Sequence, residues 1–182
     1  MKKIMFNDKF LLTQAVLNGT KTMTRRIIKK EIPIGNWQEM EKMLRYKIGE
    51  VVAIAQCYLD IKKTQFDKFG HDVAGNTNKM FVRADLMPHH IKITDVMVER
   101  LQDITNEDCL KEGIRKATIG YYVEGLMVRD WEKEAHRETE SGNIKLFPTP
   151  KLAYASLINK ICGKGTWERN PLVEAYTFEK VD

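Results

Sequence analysis

Gly19-Thr20-Lys21-Thr22-Met23-Thr24-Arg25-Arg26 marks the point where a helix stops and an extended, basic segment starts. Upstream, Asn7 or Asp8 can cap a short helix over residues 9–18, and Gly19 suits the left-handed conformation that closes a helix. Downstream, residues 20–28 mix threonine, isoleucine and cations, which predicts an extended segment containing one irregular turn. That irregularity matters. Side chains of a regular strand alternate with period two, so Lys21 and Thr24 would point to opposite faces and can meet only across a turn or bulge. Lys21, Arg25, Arg26, Lys29 and Lys30 put five cations in ten residues with no carboxylate among them, a local positive field.

Further along, Lys47-Ile48-Gly49-Glu50 reads as a turn entering a strand over 51–59. The Gly- and Asn-bearing stretch 62–79 predicts a loop or hairpin leading to a second strand over 80–84. Residues 90–101 alternate well enough for a strand, with a kink at Thr94-Asp95. Thr105-Asn106-Glu107-Asp108 carries a capping box, with Asp108 reaching back to the Thr105 amide, and Gly113 closes the helix it starts, leaving Glu112 on the last turn. Thr149-Pro150 opens a longer helix whose apolar face is Leu152, Ala155, Ile158, Ile161 and Cys162. Residues 172–178 form a last strand. With no βαβ repetition the class is α+β, and a small β-barrel with flanking helices is the expected architecture. The whole chain, 1–182, reads as one domain with insertions near 29–46, 62–79 and 115–148, and the mixed charges of 124–140 carry no chemistry of their own.

The 182 residues, 43% of them hydrophobic, are enough for a real core and exclude disorder as the whole answer. No apolar run approaches the ~20 residues needed to span a bilayer, and the sequence predicts a soluble, cytoplasmic protein. Three widely separated cysteines, Cys57, Cys109 and Cys162, fit neither a disulfide framework nor a zinc knuckle. The four histidines have no partners at metal-ligand spacing, so no metal and no cofactor are expected. Gly163-Lys164-Gly165-Thr166 lacks the upstream glycine of a phosphate loop and follows a helix.

Several segments together, Lys21 to Arg26, Lys47-Ile48-Gly49-Glu50-Val51, residues 98–105, Glu112-Gly113-Ile114 and Trp167-Glu168-Arg169-Asn170-Pro171, resemble the ASCH domain family of the PUA-like superfamily, and they occur in the family's order. The larger phage and bacterial members look most similar, through the paired arginines and the Asn-Pro before the last strand. One departure is Met87-Pro88-His89, where such members often carry Met-Pro-Arg. The resemblance implies a PUA-like barrel with a cleft for RNA or a modified nucleoside, and no membrane partner. In this chain the binding groups would be Lys21, Thr22, Arg25, Arg26 and Trp167, the last as a surface on which a base stacks.

The alternative implied by the same resemblance is catalytic. Some small bacterial members are amidohydrolases that deacylate N4-acetylcytidine with a Lys, a Thr and a Glu, and these match Lys21, Thr24 and Glu112. Thr24 would be the nucleophile, Lys21 an activating amine or oxyanion stabiliser, and Glu112 the carboxylate that moves the proton. A regular strand through Lys21 to Thr24 would exclude that triad.

Overall fold

A computed structural model describes residues 1–30, 33, 35–126 and 144–182. The charged stretch beyond Leu126 and half of the expected 115–148 insertion, residues 127–143, lie outside the described residues. The strands are β1 (Lys3–Ile4), β2 (Met23–Ile27), β3 (Val51–Ile54), β4 (His90–Arg100), β5 (Arg115–Lys116), β6 (Tyr121–Tyr122) and β7 (Leu172–Lys180). The described helices are α1 (Leu12–Leu17), α2 (Trp37–Met43), α3 (Asn106–Lys111), α4 (Pro150–Ile161) and α5 (Thr166–Arg169). The class is α+β, as the sequence predicts.

Five strands form one sheet in the order β1-β3-β4-β7-β2, and β5 pairs with β6 in a separate ribbon. The pair β1–β3 is parallel, and the other neighbours in the large sheet are antiparallel. The expected barrel is not closed. β1 is only two residues long and lies at the edge opposite β2, and no ladder joins these edges among the described residues. Alternation, broken once at a bulge, buries Ile91, Ile93 and Val96 of β4, whereas the central β7 is covered on both faces, with Val173 and Ala175 buried on one and Tyr176 and Phe178 on the other. The bulge between Ile93 and Asp95 falls at the expected kink.

Two strand expectations are corrected by pairing that only the fold reveals. β3 stops at Ile54, because the Gln56 amide turns to the Met87 sulfur, Cys57 to the Asp60 carboxylate and Tyr58 to the Gly75 carbonyl. In place of a strand over 80–84 there are two single-turn 3-10 segments, Lys79–Phe81 and Ala84–Leu86. The carbonyls of Lys79, Met80 and Val82 accept from the Lys3 ammonium at 2.6–3.0 Å, so they do not serve a ladder. This segment packs over a small satellite core of Ala53, Tyr58, Val82 and Met87.

The helices follow their local signals with adjustments. α1 begins only at Leu12, after a 3-10 turn at Asp8–Phe10 and a left-handed Leu11. Thr105 caps α3 by accepting from the Asp108 amide, but the Asp108 carboxylate serves Arg25 instead of closing a capping box. Thr149 caps α4, whose buried residues include Ala153, Tyr154, Ala155, Leu157 and Ile158; of the expected apolar face Ala155 and Ile158 are inside, while Leu152, Ile161 and Cys162 are exposed because the buried stripe is turned toward Tyr154 and Leu157. No described helix is long and apolar enough to cross a membrane.

Candidate functional site

The basic segment leaves α1 through a Schellman closure. Gly19 sits at φ 72, its amide donates to the Val16 carbonyl at 3.0 Å, and the Thr20 amide donates to the Ala15 carbonyl at 2.9 Å. The Lys21 amide also turns back to Ala15, and strand pairing starts only at Met23. Lys21 therefore stands outside the alternation of β2. It and Thr24 line the same cavity, together with Arg25, Arg26, Glu112 and Tyr154, and the volume is about 550 Å³. The condition that would have excluded the triad, a regular strand from Lys21 to Thr24, is absent.

The floor of the cavity is an ion-pair network with almost no solvent. Lys21 is 2% exposed and Glu112 4%. The Lys21 ammonium donates to a Glu112 carboxylate oxygen, to the Glu112 carbonyl and to the Met23 carbonyl, each at 2.7 Å, which uses all three of its protons. Burial pulls this ammonium below the ordinary lysine range, opposed by the Glu112 carboxylate. The second Glu112 oxygen accepts from Arg25 at 3.3 Å. Arg25 also binds Glu99 of β4 at 2.8 Å and Asp108 of α3 at 3.2 Å, so three carboxylates hold its guanidinium and fasten β2 to α3. Glu112 reaches this position as the C-cap of α3, with Gly113 at φ 104 turning the chain away behind it.

Other lining groups are less satisfied. Thr24 is buried, and its hydroxyl makes no hydrogen bond to a described residue. Arg26 donates through one terminal nitrogen to the Met5 carbonyl at 2.6 Å and lies over the Phe6 ring, while its buried Nε has no partner among the described residues. The Tyr154 hydroxyl, on a residue only 1% exposed, is likewise unpaired. Burial pushes that phenol well above its ordinary range, so it stays a proton donor. Lys29, Arg45 and Cys162 line the cavity at exposed positions, and Leu12, Leu157, Ile158 and Ile161 give it an apolar wall.

Lys21, Thr24, Arg25, Arg26 and Glu112 are thus brought together. Two other expected binding residues are not on the cavity wall. Thr22 pairs through its backbone with Lys111 and Phe178, and Trp167 of α5 packs edge-on against Tyr154 at 6.2 Å. His89 sits 3.6 Å from Asp182, also off the cavity wall. Tyr154 and Arg45 escape the sequence reading. For Tyr154 a signal exists: it stands four and seven residues before Ile158 and Ile161, the one polar-tipped member of a helical face. Among the described residues no three His, Cys, Asp or Glu side chains gather as a metal would require.

No family model matches the chain, and no curated protein matches it. Among solved structures it is similar to a protein of Enterococcus faecalis V583 assigned to family DUF984, with TM-score 0.42 and 15% identity over 100% of this chain and 81% of that one. It is also similar to an ASCH domain from Lactobacillus crispatus JV V101, with TM-score 0.36 and 11% identity over 93% of this chain and 70% of that one.

Proposed function

We propose that this chain is an ASCH-type protein that binds RNA or a modified nucleoside in the cavity between β2, α3 and α4. The observation that carries the reading is the lining itself. Above the internally paired Lys21, Arg25 and Glu112, the cations Arg26, Lys29 and Arg45, which form no ion pair with a described residue, line a volume of about 550 Å³, within the usual range of small-molecule sites. An apolar wall beside cationic and hydrogen-bonding groups suits a base with its attached sugar. Calorimetric titration of the full chain with nucleosides and with single-stranded RNA, over a salt series, tests this. Saturable binding supports the reading, and a steep loss of RNA affinity with salt assigns backbone phosphates to the cations. Absence of binding to every nucleoside and RNA would contradict it.

A second reading has its own support, the break in alternation that brings Lys21 and Thr24 to one cavity with Glu112. In it the protein deacylates an N4-acylated cytidine. Thr24 Oγ forms a bond to the acyl carbon, its proton passes by way of Glu112 to the departing amine nitrogen as the C–N bond breaks, and water then hydrolyses the acyl-threonine. Lys21, with its protons already committed, contributes positive charge near the developing oxyanion. Incubation with N4-acetylcytidine followed by chromatography for cytidine decides it, with Lys21→Ala as control and folding checked by circular dichroism. Turnover lost in the variant supports the hydrolase, and no turnover by folded wild-type protein rules out this substrate.

A further inference from the structure

Hydrogen-bond accounting separates the groups that build this cavity from the groups free to meet a ligand. Lys21 has spent its three protons, both Glu112 oxygens are occupied, and each Arg25 nitrogen faces a carboxylate. What remains buried and without a partner among the described residues on this wall is the Tyr154 hydroxyl and the Arg26 Nε. A buried donor left unpaired is costly, so unmatched donors on one cavity wall point to acceptors supplied from outside the chain.

The unmatched groups also differ in depth. Tyr154 is 1% exposed and lies with Glu112 and Lys21 on the floor, whereas Lys29 and Arg45 are exposed at the mouth and Arg26 is half-buried between. Arg26, Lys29 and Arg45 form no ion pair with a described residue, in contrast to Arg25. Burial and the neighbouring Arg45 both disfavour the charge on Arg26. An anion placed against this mouth would relieve that repulsion, and oxygen acceptors fit guanidinium donors.

We propose that the ligand is a nucleotide, with a base carbonyl or ring nitrogen accepting from Tyr154 on the floor and a phosphate held at the mouth by Arg26, Lys29 and Arg45. This assignment rests on the nucleoside-binding reading above and narrows it from an uncharged nucleoside to a phosphorylated one. The same chemistry is offered by a free nucleotide and by the end of an RNA chain, and a free nucleotide is the assignment made here because the apolar wall and floor enclose a single small ligand. Tyr154 separates ligand recognition from structure. Its hydroxyl has no partner in the fold, so Tyr154→Phe removes an unpaired polar group and should weaken binding without weakening the protein.

The test is calorimetric titration of the full chain with cytidine, uridine, adenosine and guanosine, their 5′-monophosphates, inorganic phosphate and a short single-stranded RNA. For the preferred base the monophosphate is expected to bind at least tenfold tighter than the nucleoside, a ratio that shrinks as salt rises. Arg45→Ala, at an exposed position, should cut that ratio at least threefold. Tyr154→Phe should weaken the nucleotide at least fivefold while the melting temperature holds or rises. A nucleoside that binds as tightly as its monophosphate overturns the inference and leaves the cavity reading standing. RNA bound while every free nucleotide is ignored overturns the free-nucleotide assignment, and a Tyr154→Phe protein with lower melting temperature and unchanged affinity overturns the role of the hydroxyl. Binding of none of these probes overturns both this inference and the reading beneath it.

Discussion

Lys21→Met leaves a side chain of similar length in a nearly dry site and deletes three charge-assisted hydrogen bonds at once. At 2.7 Å and an effective dielectric of 20 the gross Lys21–Glu112 attraction is about 6 kcal/mol, and most of it is cancelled by the desolvation both ions undergo on folding. The loss is not cancelled when only one partner goes. Glu112 then keeps Arg25 at 3.3 Å as its sole counter-ion, and the Met23 and Glu112 carbonyls lose a donor. Breaking a buried pair in this way costs about 3–5 kcal/mol. With partial relief from Arg25 and from the added apolar contact we expect about 3 kcal/mol, or roughly 6–12 °C in melting temperature for a chain of this size. Glu112→Leu alone should cost about as much. The double variant should be milder than the sum of the singles by about 2 kcal/mol, since Arg25 retains Glu99 and Asp108. Urea denaturation of the four proteins with a common slope measures this. Either single variant costing under about 1 kcal/mol, or strict additivity, would refute the claim that this pair organises the floor of the cavity.

Three further outcomes follow from the same core. Cys162 is exposed while Cys57 and Cys109 are buried, so a thiol reagent should label one cysteine quickly in native protein and three after denaturation. Burial pushes the Cys109 thiol from 9.0 to about 12. Above pH 9 the unfolded chain releases this proton and the folded chain keeps it, so Cys109 erodes stability progressively between pH 9 and 12; the wild type should lose more stability than Cys109→Ala over that window, and equal slopes would contradict the assignment. Gly113→Ala forces a side chain at φ 104 and puts its Cβ 3.1 Å from a Leu12 methyl carbon, which should cost about 1–3 kcal/mol by denaturation and loosen the position of Glu112. A neutral Gly113→Ala would show that the turn behind Glu112 relaxes freely.

What could be read from the sequence is what short-range chemistry decides. The helix closure at Gly19, the caps at Thr105 and Thr149 and the kink beside Thr94 each depend on a few neighbouring residues, and each stands where those residues put it. Residues 80–84 carry a strand-like pattern but form no strand, because Lys3, far away in the chain, takes carbonyls a strand would have paired. The open sheet was equally hidden, since closure depends on whether β1 and β2 meet, and no local pattern encodes that. At the site, Lys21, Thr24 and Glu112 came from a resemblance of motifs, while their meeting required the irregular exit before Met23. Tyr154 was missed because a helical face does not declare which of its members abuts a cavity. Arg25 looked like a ligand-binding cation, and only the folded positions of Glu99, Asp108 and Glu112 show that its charge is consumed internally.

The most direct test of the cavity as the binding site is amide chemical-shift mapping of the full chain titrated with the monophosphate that binds best. The account predicts saturable shifts confined to residues 21–29, Arg45, the turn at Glu112-Gly113 and the Tyr154 to Cys162 side of α4, with the same dissociation constant at each. Shifts centred instead on the 59–83 loops, or none at saturating nucleotide, would contradict it.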